Sequence, residues 1–266
     1  MSSEAALKRD HQEIDLEQQT QAHHTQVHHN HHDGSATDSH SMPKSVGAAG
    51  AEMESSPYNP RTFANPAPIG LCGFAMTTFL LSFINVSTRG VMQPNIVVGL
   101  AFAYGGLIQL LAGMWEVACG NTFGAVAFSS YGGFWISLAI VLTPAFAVTT
   151  PYSAEAFESA FGLYLICWFI FTFLLLICTT RSSIAFFGLF LTLDLAYLML
   201  AIGRFKLVSG APNVSFTKAG GAFGFMAAII AWYVALAGIA TRENSFVKVP
   251  LGEFPWNAEL QKRKNH

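Results

Sequence analysis

Apolar residues are not spread evenly along this chain. Residues 1–60 hold few large apolar side chains, and six long apolar runs then follow in close succession. Their positions predict spans at about 67–87, 96–118, 122–143, 156–178, 182–202 and 219–240, each near the ~20 residues a helix needs to cross a bilayer core. Polar or turn-rich breaks separate them at Thr88–Asn95, Cys119–Asn121, Pro144–Glu155, Thr179–Arg181 and Gly203–Lys218. The runs are too long for barrel strands and lack period-two alternation. The pattern predicts an all-α membrane protein with six transmembrane helices. Its domains are a hydrophilic, disordered tail over 1–61, a helical domain over 62–243 and a C-terminal tail over 244–266.

Asn65-Pro66-Ala67-Pro68 opens the first run. Both prolines fall in the first helical turn, where a missing N–H costs little, and Asn65 can cap the free amides behind it. An even number of spans puts both termini on one side. The lysines and arginines near the spans number the same on each side, so they set no orientation. The absence of an early apolar signal segment, the hydrophilic N-terminal tail and Lys262-Arg263-Lys264 favour cytosolic termini.

Composition strengthens this picture: 52% of residues are hydrophobic and 11% charged, against roughly 25% charged in soluble domains. Between Ile69 and Ala240 the acids are Glu116, Glu155, Glu158 and Asp194. A net charge of −2 with no basic stripe gives no sign of nucleic acid as a partner; lipid is the expected surroundings. Cys72, Cys119, Cys167 and Cys178 lie in or beside apolar runs without metal-ligand spacing and read as small hydrophobes. The run His23-His24-Thr25-Gln26-Val27-His28-His29-Asn30-His31-His32 reads as a solvated tail or a weak divalent-metal binder. No histidine falls in a span, which excludes an intramembrane histidine relay. No hydrolase, kinase or dinucleotide motif is present, so neither an enzyme nor a cofactor is expected.

Glu116 shares a face of span two with Gln109, seven residues earlier, and lies close to Asn121 and Thr122. It reads either as a proton-accepting or gating group or as a glutamate closing a helix–helix contact. Asp194 lies mid-span, where a charge costs about 2.5–3.5 kcal/mol on insertion scales. It therefore faces the interior, as a proton carrier or as a hydrogen-bonded structural acid. Helical spacing groups Phe128, Tyr131 and Trp135 on one face, Phe186, Phe190, Leu193 and Tyr197 on another, and Phe74, Thr77, Thr78 and Leu81 on a third. Such stripes suit packing or an apolar constriction in a narrow pore. Thr77, Thr78, Gln109, Asn121, Thr122, Ser129, Ser130 and Tyr131 supply hydroxyls and amides suited to a small carboxylate leaving water. Gly220/Gly224 and Gly120/Gly124 have the spacing of close helix approach, within or between protomers.

An ordered set of motifs goes further. Asn65-Pro66-Ala67-Pro68-Ile69-Gly70-Leu71, Gly73-Phe74-Ala75-Met76-Thr77-Thr78, Tyr104-Gly105-Gly106-Leu107-Ile108-Gln109 and Ala112-Gly113-Met114-Trp115-Glu116 are followed by Gly120-Asn121-Thr122-Phe123-Gly124, Phe128-Ser129-Ser130-Tyr131-Gly132-Gly133-Phe134-Trp135 and Leu200-Ala201-Ile202-Gly203. This series resembles the acetate uptake transporter family (AceTr) over about 63–242, and the long tail is similar to that of fungal plasma-membrane members. The resemblance implies six-helix protomers forming a homo-hexamer, one pathway per protomer, and passage of acetate and small carboxylates, with succinate a substrate of some members; the expected mode is proton-coupled uptake. It implies a hydrophobic constriction at Phe74, Tyr131 and Leu193. Asn65, Thr77, Thr78, Gln109, Asn121, Thr122 and Ser130 become candidate substrate contacts, and Glu116 and Asp194 candidate proton-linked or conformational groups. The rival readings are a passive anion channel or ammonium-related conductance, and a membrane sensor or scaffold.

Overall fold

A computed structural model describes residues 63–241 and 243–256. The expectations for the 1–61 tail, its histidine run and Lys262-Arg263-Lys264 lie outside the described residues. Among the described residues, six helices are long and apolar enough to cross a membrane: α1 (Ala67–Asn85), α2 (Pro94–Ala118), α3 (Thr122–Leu142), α4 (Ala154–Thr179), α5 (Ile184–Phe205) and α6 (Val214–Ile239). Among the described residues there is no β-strand, only two isolated bridges. A helix satisfies its backbone internally, which hydrocarbon requires because it offers no water to do so.

Local chemistry sets most of the starts. Asn65 Oδ1 accepts from the Ala67 amide at 3.1 Å, while Pro66 has helical φ/ψ and its carbonyl accepts from Ile69 and Gly70. Asn121, Ser153 and Ser183 cap α3, α4 and α5 by accepting from the Gly124, Ala156 and Phe186 amides. Asn213 accepts from the Ser215 and Phe216 amides. That cap starts α6 at Val214, ahead of the expected 219, and α5 runs on to Phe205, so the long Gly203–Lys218 break shrinks. Hydropathy located the apolar stretch but missed the polar first turn that the asparagine holds in helix.

Inside α2, Ala103–Ile108 is π-helical, a distortion no sequence period predicted. It lies where α1 presses closest. A Cβ on Gly73 would sit 2.8 Å from the Tyr104 carbonyl oxygen, and one on Gly105 would sit 2.6 Å from Thr77 Oγ1. The Gly220 and Gly224 sites face Leu200 of α5 and Ser82 of α1, so this pair serves packing inside the protomer. Gly120 differs from the helix-packing expectation. Its φ of +74° places it in the α2–α3 turn, where a left-handed backbone favours glycine.

Packing runs around a ring. α2 lies between α1 and α3, α5 between α4 and α6, and α6 packs along α1. The α3 and α4 backbones hardly approach one another, and large side chains close that gap. Tyr131 and Thr172 hydroxyls share a hydrogen bond at 2.9 Å, and Ser137 and Tyr164 share one at 2.7 Å. Phe134 stacks on Tyr164 and meets Trp168 edge-on.

Close approach at Gly73 yields a direct test. Gly73→Val is expected to lower unfolding free energy by about 1–3 kcal/mol, because its side chain meets backbone that cannot step aside. Gly99→Ala, with nothing within 4 Å of its added carbon, is expected to be neutral or to stabilise by up to about 1 kcal/mol. Thermal melts of the two purified variants in detergent check both.

Candidate functional site

The ring encloses two cavities. One, of about 230 Å³, opens toward the terminal side, where α1 begins and α6 ends, and is lined by Asn65, Gln109, Asn121, Phe128, Tyr131 and Phe190 among others. The other, of about 280 Å³, opens toward the opposite end and is lined by Thr78, Ser82, Phe134, Trp135, Tyr197 and Arg204 among others. Phe74 and Leu193 line both. Phe74 comes from α1, Tyr131 from α3 and Leu193 from α5, so alternate helices of the ring supply the meeting point.

Phe74 and Tyr131 have ring centroids 6.1 Å apart and tilted planes. Phe74, Tyr131 and Leu193 are 4%, 3% and 5% exposed, so the throat between the cavities is tightly filled. Tyr131 is further held by Phe190, Trp168 and Phe171, and by its bond to Thr172. A throat of this kind strips water from anything that passes, and polar groups in the flanking cavities can replace the lost hydrogen bonds.

The expected polar residues divide by helix phase. Asn65, Gln109 and Asn121 line the terminal-side cavity, and Thr78 lines the opposite one. Thr77, Thr122 and Ser130 line neither. Thr77 is fully buried, packs beside Gly105 of α2 and donates to its own helix at the Gly73 carbonyl. Thr122 is exposed at the start of α3, and Ser130 is half-buried outside both cavities. Consecutive helical residues point about 100° apart, so Thr77 cannot share the face of Thr78, nor Ser130 that of Tyr131.

Glu116 is only 2% exposed. Its Oε2 accepts from Asn121 Nδ2 at 2.7 Å, and Asn121 Oδ1 accepts from the Gly124 amide at 3.1 Å. A Cβ on Gly124 would lie 2.9 Å from the Glu116 carboxyl carbon, so glycine makes the room this glutamate occupies. The three residues tie the end of α2 to the start of α3, as a glutamate closing a helix–helix contact would. Glu116 Oε1 has no partner, nor do Asp194 Oδ1, Gln109 Oε1, Thr78 Oγ1 and Trp135 Nε1. Asp194 lies inside the bundle but lines neither cavity, and Thr192 gives its hydroxyl to the Gly188 and Leu189 carbonyls.

Three contributions escaped the sequence reading. Phe134 lines the second cavity and meets Tyr197 edge-on; its place in the Phe128–Trp135 motif was its only signal. Arg204 is the one charged residue in that cavity's lining. Its guanidinium reaches Glu158 at 2.5 Å and lies 4.6 Å from the Phe161 ring centroid. Leu251, beyond the last span, lines the terminal-side cavity. Among the described residues no three His, Cys, Asp or Glu side chains gather as a metal site would require.

Comparison with known proteins places this geometry in company. A model of the GPR1/FUN34/yaaH family matches residues 48–256. Acetate permease A of Emericella nidulans is 57% identical over 211 residues, covering 77% of this chain and 71% of that protein. The succinate-acetate/proton symporter SatP of Escherichia coli K12 is 35% identical over 191 residues, covering 71% of this chain and 96% of its own length. A solved structure described as the bacterial acetate channel SatP superimposes with a TM-score of 0.62 at 33% identity, over 72% of this chain and all of the other.

The tie between α2 and α3 is testable alone. Asn121→Ala leaves the Glu116 carboxyl without this partner in a buried place, and is expected to cost about 1–3 kcal/mol of stability. Glu116→Gln, which retains an acceptor oxygen for Asn121, is expected to cost less. Equal losses in denaturation of the two variants would contradict this account of the contact.

Proposed function

This chain belongs to the GPR1/FUN34/yaaH family, and from that premise we propose that it carries acetate and related small carboxylates across a membrane. The protein is a multipass membrane protein. The observation that carries the reading is that Phe74 and Leu193 line both cavities while Tyr131 closes against Phe74. These three form the constriction. Asn65, Gln109 and Asn121 on one side, and Thr78 on the other, exchange hydrogen bonds with the carboxylate as its water leaves. Arg204, paired with Glu158, adds N–H donors to the wall on the second side. The substrate passes chemically unchanged, with no enzymatic step.

In this reading uptake is coupled to protons, and the protein sits in the plasma membrane as a homo-hexamer with both termini in the cytosol. Broad apolar faces support an assembly: only 28% of the apolar stretch of α4 and 33% of that of α6 is buried within the protomer, leaving the rest for lipid or neighbouring copies. Glu116 and Asp194 are the buried carboxyls available for a proton-linked step. One relative's name, a proton symporter, favours coupling; a second reading, passive flow, has its own support in the solved structure described as an acetate channel.

Labelled-acetate uptake into proteoliposomes decides between them: coupled uptake falls when a protonophore collapses the proton gradient, and passive flow does not. Phe74→Ala and Leu193→Ala are expected to raise uptake of four-carbon acids relative to acetate by several-fold to roughly ten-fold, the scale on which apolar pockets discriminate by methylenes. Unchanged chain-length preference in both variants would remove the constriction from these residues.

A further inference from the structure

After α6 the chain doubles back across the terminal-side end of the bundle. Tyr233 of α6 donates to the Pro250 carbonyl. The Leu251 and Gly252 carbonyls accept from the Ala185 and Ile184 amides at 3.1 and 3.0 Å. Trp256 Nε1 donates to the Thr180 carbonyl beyond α4 at 3.0 Å, and the Phe254 ring stacks on Trp256 while meeting Phe187 edge-on. Residues 250–256 thus run as a strap from α6 over the start of α5 to the end of α4.

Leu251 is the strap residue in the lining of the terminal-side cavity, beside Asn65, Pro68 and Gly238. Gly252 follows it with φ +71°, a left-handed turn that an ordinary side chain would strain. The turn lets two successive carbonyls address α5.

We propose that this strap is a lid on the terminal-side cavity, with Leu251 as the side chain that narrows its mouth and sets which acids enter. The proposal rests on the transport reading for its consequence, but its geometry stands apart from it. The strap's hold on α5 uses amides that every helix start leaves without intrahelical partners. Water can take the place of both carbonyls when the strap lifts, so the exchange lies near balance. The remaining anchors, Tyr233 on α6, Phe187 on α5 and Thr180 beyond α4, lie outside the cavity lining. A segment held to the ends of neighbouring helices by a few replaceable bonds and one edge-on ring contact, with one apolar side chain in the cavity wall, has the construction of a reversible cover.

The test reads cover and transport separately. Cys72, Cys119, Cys167 and Cys178 are replaced by serine, and Ala127→Cys puts one thiol in the wall of the terminal-side cavity, where Ala127 is 4% exposed. Modification by a charged methanethiosulfonate is timed on the full chain in detergent. Leu251→Ala and Tyr233→Phe are expected to speed labelling at least five-fold, and Leu251→Trp to slow it. Leu251→Ala is further expected to raise uptake of four-carbon acids over acetate in liposomes. Labelling rates within two-fold across the variants overturn the lid. If Leu251→Trp does not fold, Tyr233→Phe decides the question, because it removes only the hydroxyl that holds the Pro250 carbonyl. A parent that labels in the expected pattern yet moves no carboxylate supports the cover and overturns the transport reading alone. A parent that transports, with labelling unmoved by the variants, does the reverse.

Discussion

Large side chains between α3 and α4 close this protein into a ring. Elsewhere around the bundle, neighbouring helices pack directly, with glycines letting backbone come close at several contacts. At this seam the backbones stand apart, and Tyr131, Phe134, Tyr164 and Trp168 fill the space. Two hydroxyl bonds, Tyr131 to Thr172 and Ser137 to Tyr164, fix the rings in place. In hydrocarbon such bonds have no competing water, which sharpens their directional value. The same seam carries Tyr131 against Phe74, so closure of the ring and filling of the throat between the cavities are one arrangement.

Buried polar groups complete the logic of the interior. Most buried polar atoms in proteins have partners, and those without one call for a reason. Here the unpartnered atoms belong to Thr78, Gln109, Glu116, Trp135 and Asp194. Thr78, Gln109 and Trp135 belong to side chains in the cavity walls, on both sides of Phe74 and Leu193. Glu116 stands behind the first cavity, half satisfied by Asn121. Three of the five thus face the cavities, while Glu116 and Asp194 lie behind them in the helix packing.

The six helices were legible because hydrocarbon thickness demands long apolar runs, and any sequence that meets the demand displays it. Errors at the ends of α5 and α6 came from polar first and last turns, which hydropathy discounts and Asn213 stabilises. The stripes Phe74–Thr78–Leu81 and Phe186–Phe190–Leu193 were legible because helical spacing repeats. Thr77, Thr122 and Ser130 were drawn in as hydroxyls within those stripes and motifs, yet they line neither cavity: phase turns Thr77 and Ser130 away, and Thr122 is exposed at the start of α3. The Arg204–Glu158 pair joins residues 46 positions apart on different helices, and no local period encodes such a contact. The same holds for Leu251, which meets the cavity only after the chain has returned across the bundle.

By itself, then, the sequence determined the class of protein, the number of its helices, the family its motifs share and the aromatic residues available to a throat. Those are properties of local periodicity and of short ordered motifs. Tertiary structure alone decided that Phe74 and Leu193 stand between two cavities, that Thr78 and not Thr77 faces one of them, that Glu116 is clamped by Asn121 beside a glycine, and that Leu251 enters the wall of the terminal-side cavity. Each of these depends on the rotation of one helix against another. That rotation is set by close contacts such as Gly73 on Tyr104 and Gly224 on Ser82, and by the rings across α3 and α4. The opening motif shows both halves: Asn65-Pro66 starts α1 by local chemistry, and the packing of α1 against α2 and α6 turns Phe74 into the throat.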